Sequence, residues 1–408
     1  MEKLRNEIMQ LMPLGIYISV PFCRTKCSYC NFASDVFSRA MFERYVDRMC
    51  AEIAQAPESA ARIGGRIESE IDSIYLGGGT PTVLDDSQLK RIFLATRQQF
   101  EVTPGAEITV ECAPGTLTAE RLNTLVSCGV NRVSLGVQSF VDREAAAVGR
   151  LHKRSTVLDD IERLRAAGIT NINIDLIAGL PHQTTESWQE SLAQTIASGV
   201  PHVSVYMLEV DEDSRLGREL IAGGTRYHAH FVPDEEATAD FYVAACERLE
   251  AAGLKQYEIS NFARPGFDSR HNLKYWTRQP YLGFGVDAHS MLHASESEAV
   301  RFSTADSLDK YMAEAPLSKT AVTRASALEE SFFLGLRLNR GVNLRDLATD
   351  FGNTAVANLR EIVDELVSTE LLLRENDVIR LTSRGRLLSN EVFQRFLAPD
   401  DCVSKTGV

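Results

Sequence analysis

Between residues 15 and 210, short runs of β-branched and aliphatic residues alternate with amphipathic helical stretches. The strand-like runs cover residues 16–20, 73–76, 107–111, 132–135, 171–176 and 202–208. A 3.6-residue apolar period predicts helices over 39–55, 86–100, 118–127, 156–167 and 186–198 between them. Such alternation is the pattern of β/α units on a parallel sheet. Gly129, Gly168 and Gly199 each close a helix just before the next strand, a place where the left-handed backbone is needed. Six units fall short of the eight that close a (β/α)8 barrel. The expected α/β fold is therefore a partial (β/α)6, TIM-like barrel, open on one side and occupying residues 1–210. Residues 211–325 read as a less regular extension of that barrel. Residues 326–408 read as helices followed by a small strand pair, an α-rich winged-helix-like C-terminal domain.

The chain has 43 basic and 56 acidic residues, a net charge of −13. Binding a phosphate backbone needs clustered positive charge, so nucleic acid is not expected as the main partner. No apolar run approaches membrane-spanning length, which argues against an integral membrane protein. The first residues lack the apolar centre of a signal peptide, so a cytoplasmic location is expected. In that compartment the eight cysteines are expected to be ligands or core residues rather than disulfides. Cys50, Cys112, Cys128 and Cys246 read as core, and Cys402 as a free thiol in a polar tail.

Cys23, Cys27 and Cys30 follow the first strand-like run with C-x3-C-x2-C spacing. Three thiolates on one loop can hold three irons of a [4Fe–4S] cube. No local fourth Cys or His completes the closed ligand set of structural zinc, so one iron stays open for chemistry. Gly77-Gly78-Gly79-Thr80-Pro81 follows the second run, where bare backbone can approach a ligand closely. Glu111, Gln138 and Asp175 also fall at or near strand ends, the face where barrels collect reactive groups; Arg150 lies beyond Gln138. Each of these four has an equally plain reading as a cap or a solvated group. His228-Ala-His230 is spaced like a metal pair, with no third ligand near it in sequence.

The cysteine spacing after a strand resembles the radical S-adenosylmethionine (radical SAM) motif. Along nearly its whole length the chain resembles the oxygen-independent coproporphyrinogen III oxidase (dehydrogenase) family of these proteins. Tyr17, the three cysteines, residues 77–81, Glu111, Gln138-Ser-Phe140, Arg150 and residues 175–181 carry the likeness. It implies a [4Fe–4S] cluster on Cys23, Cys27 and Cys30 whose open iron chelates S-adenosyl-L-methionine (SAM). An electron from the cluster would then cleave a carbon–sulfur bond to give a 5′-deoxyadenosyl radical. Tyr17, Tyr29, Gly78 and Glu111 are the implied contacts of that SAM. Gly79, Thr80, Gln138, Arg150 and Asp175 match positions that hold a second SAM in the dehydrogenase.

Two departures are similar to the HemW-type heme-chaperone branch. Phe32 stands where the dehydrogenase has a further cysteine, and only 22 residues precede Cys23. His271-Asn-Leu-Lys-Tyr-Trp276 also resembles that branch's H-N-x-x-Y-W motif. It implies heme, with His271 as a candidate axial ligand and Tyr275 and Trp276 flanking the macrocycle. Without the resemblance, His271 reads as a hydrogen-bonded pocket histidine and Trp276 as core. Asp287 occupies a position where the family pattern has a small neutral residue. The expected function is heme binding and delivery to acceptor proteins, respiratory ones by the resemblance, with an electron donor for the cluster. The alternatives are the oxidase reaction in heme biosynthesis and a different radical SAM modification.

Overall fold

The structure, a computed structural model, describes residues 12–295 and 298–397; Cys402 lies outside them. Six parallel strands run in sequence order: β1 (Leu14–Val20), β2 (Glu70–Gly78), β3 (Glu101–Cys112), β4 (Arg132–Gln138), β5 (Asn171–Ala178) and β6 (His202–Met207). Helices cross between them, among them Arg39–Ala54, Asp86–Gln99, Ala119–Ser127, Arg154–Ala166 and Thr185–Ala197. Their starts are written locally. Asp85 and Gln88 form a reciprocal capping box (2.9 and 3.0 Å), and the Thr118 hydroxyl accepts from the Arg121 amide. Leu14, Ile16, Ile18 and Val20 on β1 are fully buried against the helices. The mixed α/β fold built on a large parallel sheet is thus the one expected.

The region 211–325 is more regular than its sequence suggested. It adds β7 (Lys255–Gln256) and β8 (Asn261–Ala263) antiparallel to the β6 edge. On the other edge, β9 (Tyr281–Phe284) pairs parallel with β1. Antiparallel β10 (His289–His293), β11 (Ala299–Ser303) and β12 (Ser318–Val322) follow. One sheet of twelve strands results, ordered β12-β11-β10-β9-β1-β2-β3-β4-β5-β6-β8-β7. Asp287, between β9 and β10, has φ +54, which explains the small residue expected there: that conformation is easiest for glycine and tolerated by Asp. Of the cysteines read as core, Cys112 and Cys128 are buried, whereas Cys50 and Cys246 are only half-buried at the core's margin.

The C-terminal domain begins with the Arg324–Leu336 helix and includes the Leu344–Phe351 and Arg360–Ser368 helices. Its small antiparallel sheet contains β13 (Val342–Asn343), β14 (Leu372–Glu375) and β15 (Val378–Leu381), with β15 central. It has its own core, in which Phe332 and Phe396 stack at 4.7 Å. Glu330 joins it to the barrel, accepting from Arg278 (2.9 Å) and Arg301 (2.8 Å). Burial alone would raise the Glu330 carboxyl; Arg301 and Arg278 outweigh it and hold the group below the usual glutamate range. No helix among the described residues is long and apolar enough to cross a membrane.

Glu330→Ala should strand two partly covered arginines. The expected loss is about 2 kcal/mol, below the ~3–5 of a fully buried pair because both arginines keep some water. Urea unfolding would read it. A depressed carboxyl stabilises above its unfolded-state pKa, so the wild type should lose this increment on acidification, while the variant should not.

Candidate functional site

Parallel strands buried on both faces ordinarily read as continuous apolar runs. Here the inner positions are polar at every second residue: Ser73 and Tyr75 on β2, Glu107, Thr109 and Glu111 on β3, and Arg132 and Ser134 on β4. Asn173 and Asp175 on β5 and His202 and Ser204 on β6 continue the series. These side chains hydrogen-bond across the lumen. Asn173 Nδ2 donates to Ser134 Oγ (2.7 Å), Asp175 Oδ1 (2.7 Å) and Ser204 Oγ (3.0 Å). Ser134 donates to Asp175 Oδ2 at 2.9 Å, and Tyr75 donates to Glu111 Oε1 at 2.9 Å. Tyr75, Ser134, Asn173 and Ser204 were not among the expected site residues, although their two-residue period on core strands was a readable signal.

The cysteine loop leaves β1 at the lumen's open end. Backbone pairing continues past the strands: Gly79 N donates to Val20 O and Thr80 N to Phe22 O, both at 2.8 Å. The Gly77–Pro81 turn is thereby laid against the cysteine loop. A β-carbon on Gly79 would stand 2.7 Å from Phe22 O and 3.0 Å from Cys23 Sγ, so only glycine allows this approach. Thr80 Oγ1 points at Cys23 Sγ (3.9 Å), and Cys30 Sγ lies 3.8 Å from Ser34 Oγ. Cys23, Cys27 and Cys30 are all free thiols, partly exposed on one loop. This donor set fits a cluster held by three thiolates.

Groups suited to SAM line the same mouth. Gln138 sits at φ +68 with its Oε1 buried and unpartnered, an acceptor awaiting a donor. Arg150 donates to the Tyr29 hydroxyl at 3.1 Å, while its Nε is buried without a partner. Burial and the Asp175 charge push the Glu111 carboxyl up to about 7, and burial likewise raises Asp175. Two carboxyls that gain from losing charge, an orphan acceptor and an orphan guanidinium N–H suit a ligand rich in hydroxyl, ammonium and carboxylate groups.

The His271 segment lies deeper. His271 is 0% exposed, in the first turn of the Arg270–Trp276 helix near the feet of β1 and β2. Its Nδ1 pairs with Ser73 Oγ (3.0 Å) and its Nε2 with the Tyr275 hydroxyl (2.8 Å). Glu107 accepts from the His271 amide (3.0 Å), and Lys274 pairs with Asp72 (2.8 Å), locking the helix down. Burial pushes the imidazole down to about 3, so it is neutral, yet both nitrogens are already used. Tyr275 packs edge-on against Tyr281 at 4.6 Å, and Arg337 covers the Trp276 ring at 4.2 Å. Both ring nitrogens are thus hydrogen-bonded within the protein, the arrangement of a pocket histidine, and ligation of a heme iron by His271 would require one of these bonds to open.

Gly79→Ala is expected to displace the loop and to lower bound iron and sulfide after anaerobic reconstitution by roughly half or more; elemental analysis beside circular dichroism would separate cluster loss from unfolding. For Glu111, a carboxyl raised in the fold stabilises most at low pH, and that contribution is lost as pH rises through about 7. The cluster-free protein should therefore lose stability from about pH 4.5 to about pH 7, between the ordinary glutamate value and the folded one. Glu111→Gln should flatten part of the fall, the remainder belonging to Asp175.

The family profile of the Radical SAM superfamily matches residues 17–194, and that of the HemN C-terminal domain matches 322–388. Proteins named heme chaperone HemW are similar over nearly full length. That of Lactococcus lactis is 33% identical over 95% of this chain and 98% of its own; that of Bacillus subtilis is 34% identical over 93% and 98%. The Escherichia coli protein of that name is 30% identical over 96% and 100%. Among solved structures, coproporphyrinogen III oxidase (HemN) from Escherichia coli superposes with a TM-score of 0.80 at 23% identity, covering 96% of this chain and 93% of that one. That likeness speaks for the fold. The radical SAM profile, the open three-cysteine loop and full-length relatedness to the chaperones converge: the chain belongs to the radical SAM superfamily and, within it, to the HemW family.

Proposed function

We propose that this protein binds heme and delivers it to acceptor proteins, respiratory ones by the likeness of its family, with the cluster and SAM assisting or regulating transfer. The observation that carries the reading is Phe32, which fills the place of the dehydrogenase's further cysteine. Its side chain is 64% exposed at the end of the cysteine loop, where the resemblance puts a further thiol in the dehydrogenase.

The radical SAM family implies the cluster and SAM. Cys23, Cys27 and Cys30 would hold three irons, and when bound the group supplies one electron to SAM. The chain's own residues position the cofactor. Residues 77–80 offer backbone close to the thiols, and Tyr17 and Tyr29 wall the mouth. Glu111 accepts hydrogen bonds from hydroxyl or ammonium groups. Arg150, held by Tyr29, would pair with the carboxylate of SAM, and Gln138 and Asp175 would complete the polar wall. An external electron donor would reach the cluster from the half-exposed side of the cysteine loop.

The test uses anaerobically reconstituted protein, titrated with heme and assayed in parallel with coproporphyrinogen III, SAM and reductant. Stoichiometric heme binding without protoporphyrinogen formation is expected. Protoporphyrinogen formation without heme binding would overturn the reading in favour of the oxidase. Replacing Cys23, Cys27 and Cys30 by Ala should abolish SAM cleavage and leave the far-ultraviolet circular dichroism unchanged.

A further inference from the structure

The polar layer of the lumen holds a charge that the site described above leaves uncompensated. Arg132 stands at the start of β4, 2% exposed, on the face that its strand turns inward. Its Nε is buried without a hydrogen-bond partner, and among the described residues Arg132 forms no ion pair. A guanidinium cannot escape such a place by losing its proton, as a buried lysine can. Taking it out of water with no counter-charge is among the most unfavourable arrangements in a folded chain. Water bridging its N–H groups would satisfy their hydrogen bonds and leave the charge unbalanced.

The acidic groups of the lumen are committed elsewhere. Glu107 accepts from the amides of Arg270 (3.1 Å) and His271 (3.0 Å). Asp175 accepts from Ser134 and Asn173, and Glu258 from the Ser260 amide at 3.1 Å. Burial raises the carboxyls of Asp175 and Glu258, which weakens each as a counter-ion. The polar atoms beside Arg132 are short of partners too. In the strand register it lies opposite Thr109 of β3 on one side and Asn171 of β5 on the other. Thr109 is fully buried with Oγ1 unpartnered, and Asn171 Oδ1 is likewise buried and unpartnered. Three adjacent strands therefore bring to one level a guanidinium N–H, a hydroxyl and a carbonyl acceptor, each without a partner. The charge reaches into the lumen: after burial, it helps hold the His202 imidazole neutral.

We propose that this level of the lumen is a binding site for a small oxyanion that keeps one hydroxyl, the chemistry shared by hydrogen carbonate and hydrogen phosphate. Arg132 and Thr109 donate to its charged oxygens, and Asn171 Oδ1 accepts from its hydroxyl. The bound charge balances Arg132 and ties β3, β4 and β5 together beneath the wall formed by Glu111, Gln138 and Asp175. The site uses none of the three thiols and no side chain of the Arg270–Trp276 helix, so it does not depend on the heme-binding reading.

The experiment follows thermal unfolding of the full-length protein, cluster-free and cluster-loaded, against sodium hydrogen carbonate and against sodium phosphate. Sodium chloride at matched pH and ionic strength is the reference. A saturable rise in Tm over chloride is expected in both forms, as for any ligand that binds the folded state alone. NMR line broadening of labelled hydrogen carbonate, or of phosphate, should saturate over the same range, and the anion that saturates at the lower concentration is the occupant. Arg132→Met should remove the rise. Thr109→Val, which keeps the charge, should weaken binding by about tenfold, and it carries the test if Arg132→Met does not fold. Formate lacks the hydroxyl and should bind more weakly than hydrogen carbonate; equal binding would remove Asn171 from the proposal. A rise of wild-type size in folded Arg132→Met would assign the effect to surface ions and overturn the site. A wild type that shows no saturable difference from chloride would overturn it as well, leaving water as the occupant.

Discussion

The site depends on one pairing, that of β1 with β2. Its register runs Val20 opposite Gly78, and the hydrogen bonds do not stop where the strands do. Gly79 and Thr80 continue the ladder onto Val20 and Phe22, so the glycine turn and the cysteine loop are two sides of one extended pair. A slip by one residue would turn every side chain of β1 over and carry Tyr17 out of the lumen. Central placement guards against it: β1 lies between β2 and β9, and its apolar face is wholly buried.

The six units, their helices and the cysteine loop were legible because each has a local cause. Apolar period, capping residues and glycine stops act within a few positions of the residues that carry them. The strands of 211–325 had no such local mark. β7, β8 and β9 are two to four residues long and owe their pairing to an existing sheet edge. Short edge strands take their shape from tertiary contact rather than from propensity.

The site was legible by position and less so by partner. Glu111, Gln138, Arg150 and Asp175 do gather at the barrel mouth with unused hydrogen-bonding capacity or raised carboxyls. The polar layer beneath them was written in the strands as a two-residue alternation. It turns the middle of the barrel into a hydrogen-bonded network, more specific in geometry than an apolar filling. His271 belongs to that network. A motif shows which residues travel together and not which atoms remain free, and here Ser73 and Tyr275 take both ring nitrogens. His182, by contrast, carried no local sign that it would meet His228, because that contact spans two loops.

The Arg215–Ala222 helix touches both ends of this geography. Its Leu216 amide donates to Ser28 O (2.8 Å) and Arg215 to Lys26 O (3.1 Å), both on the cysteine loop. One turn later, Glu219 accepts from the amides of Tyr227 and Ala229, in the turn that holds His228 and His230. A rigid rod fastened to two loops makes their ordering a single equilibrium, and coupling of that kind is reciprocal. Whatever fixes the cysteine loop lowers the entropy cost of fixing the turn, and order in the turn returns the same increment to the loop. Eight residues of helix thus couple the cysteine loop to the turn that holds His228 and His230.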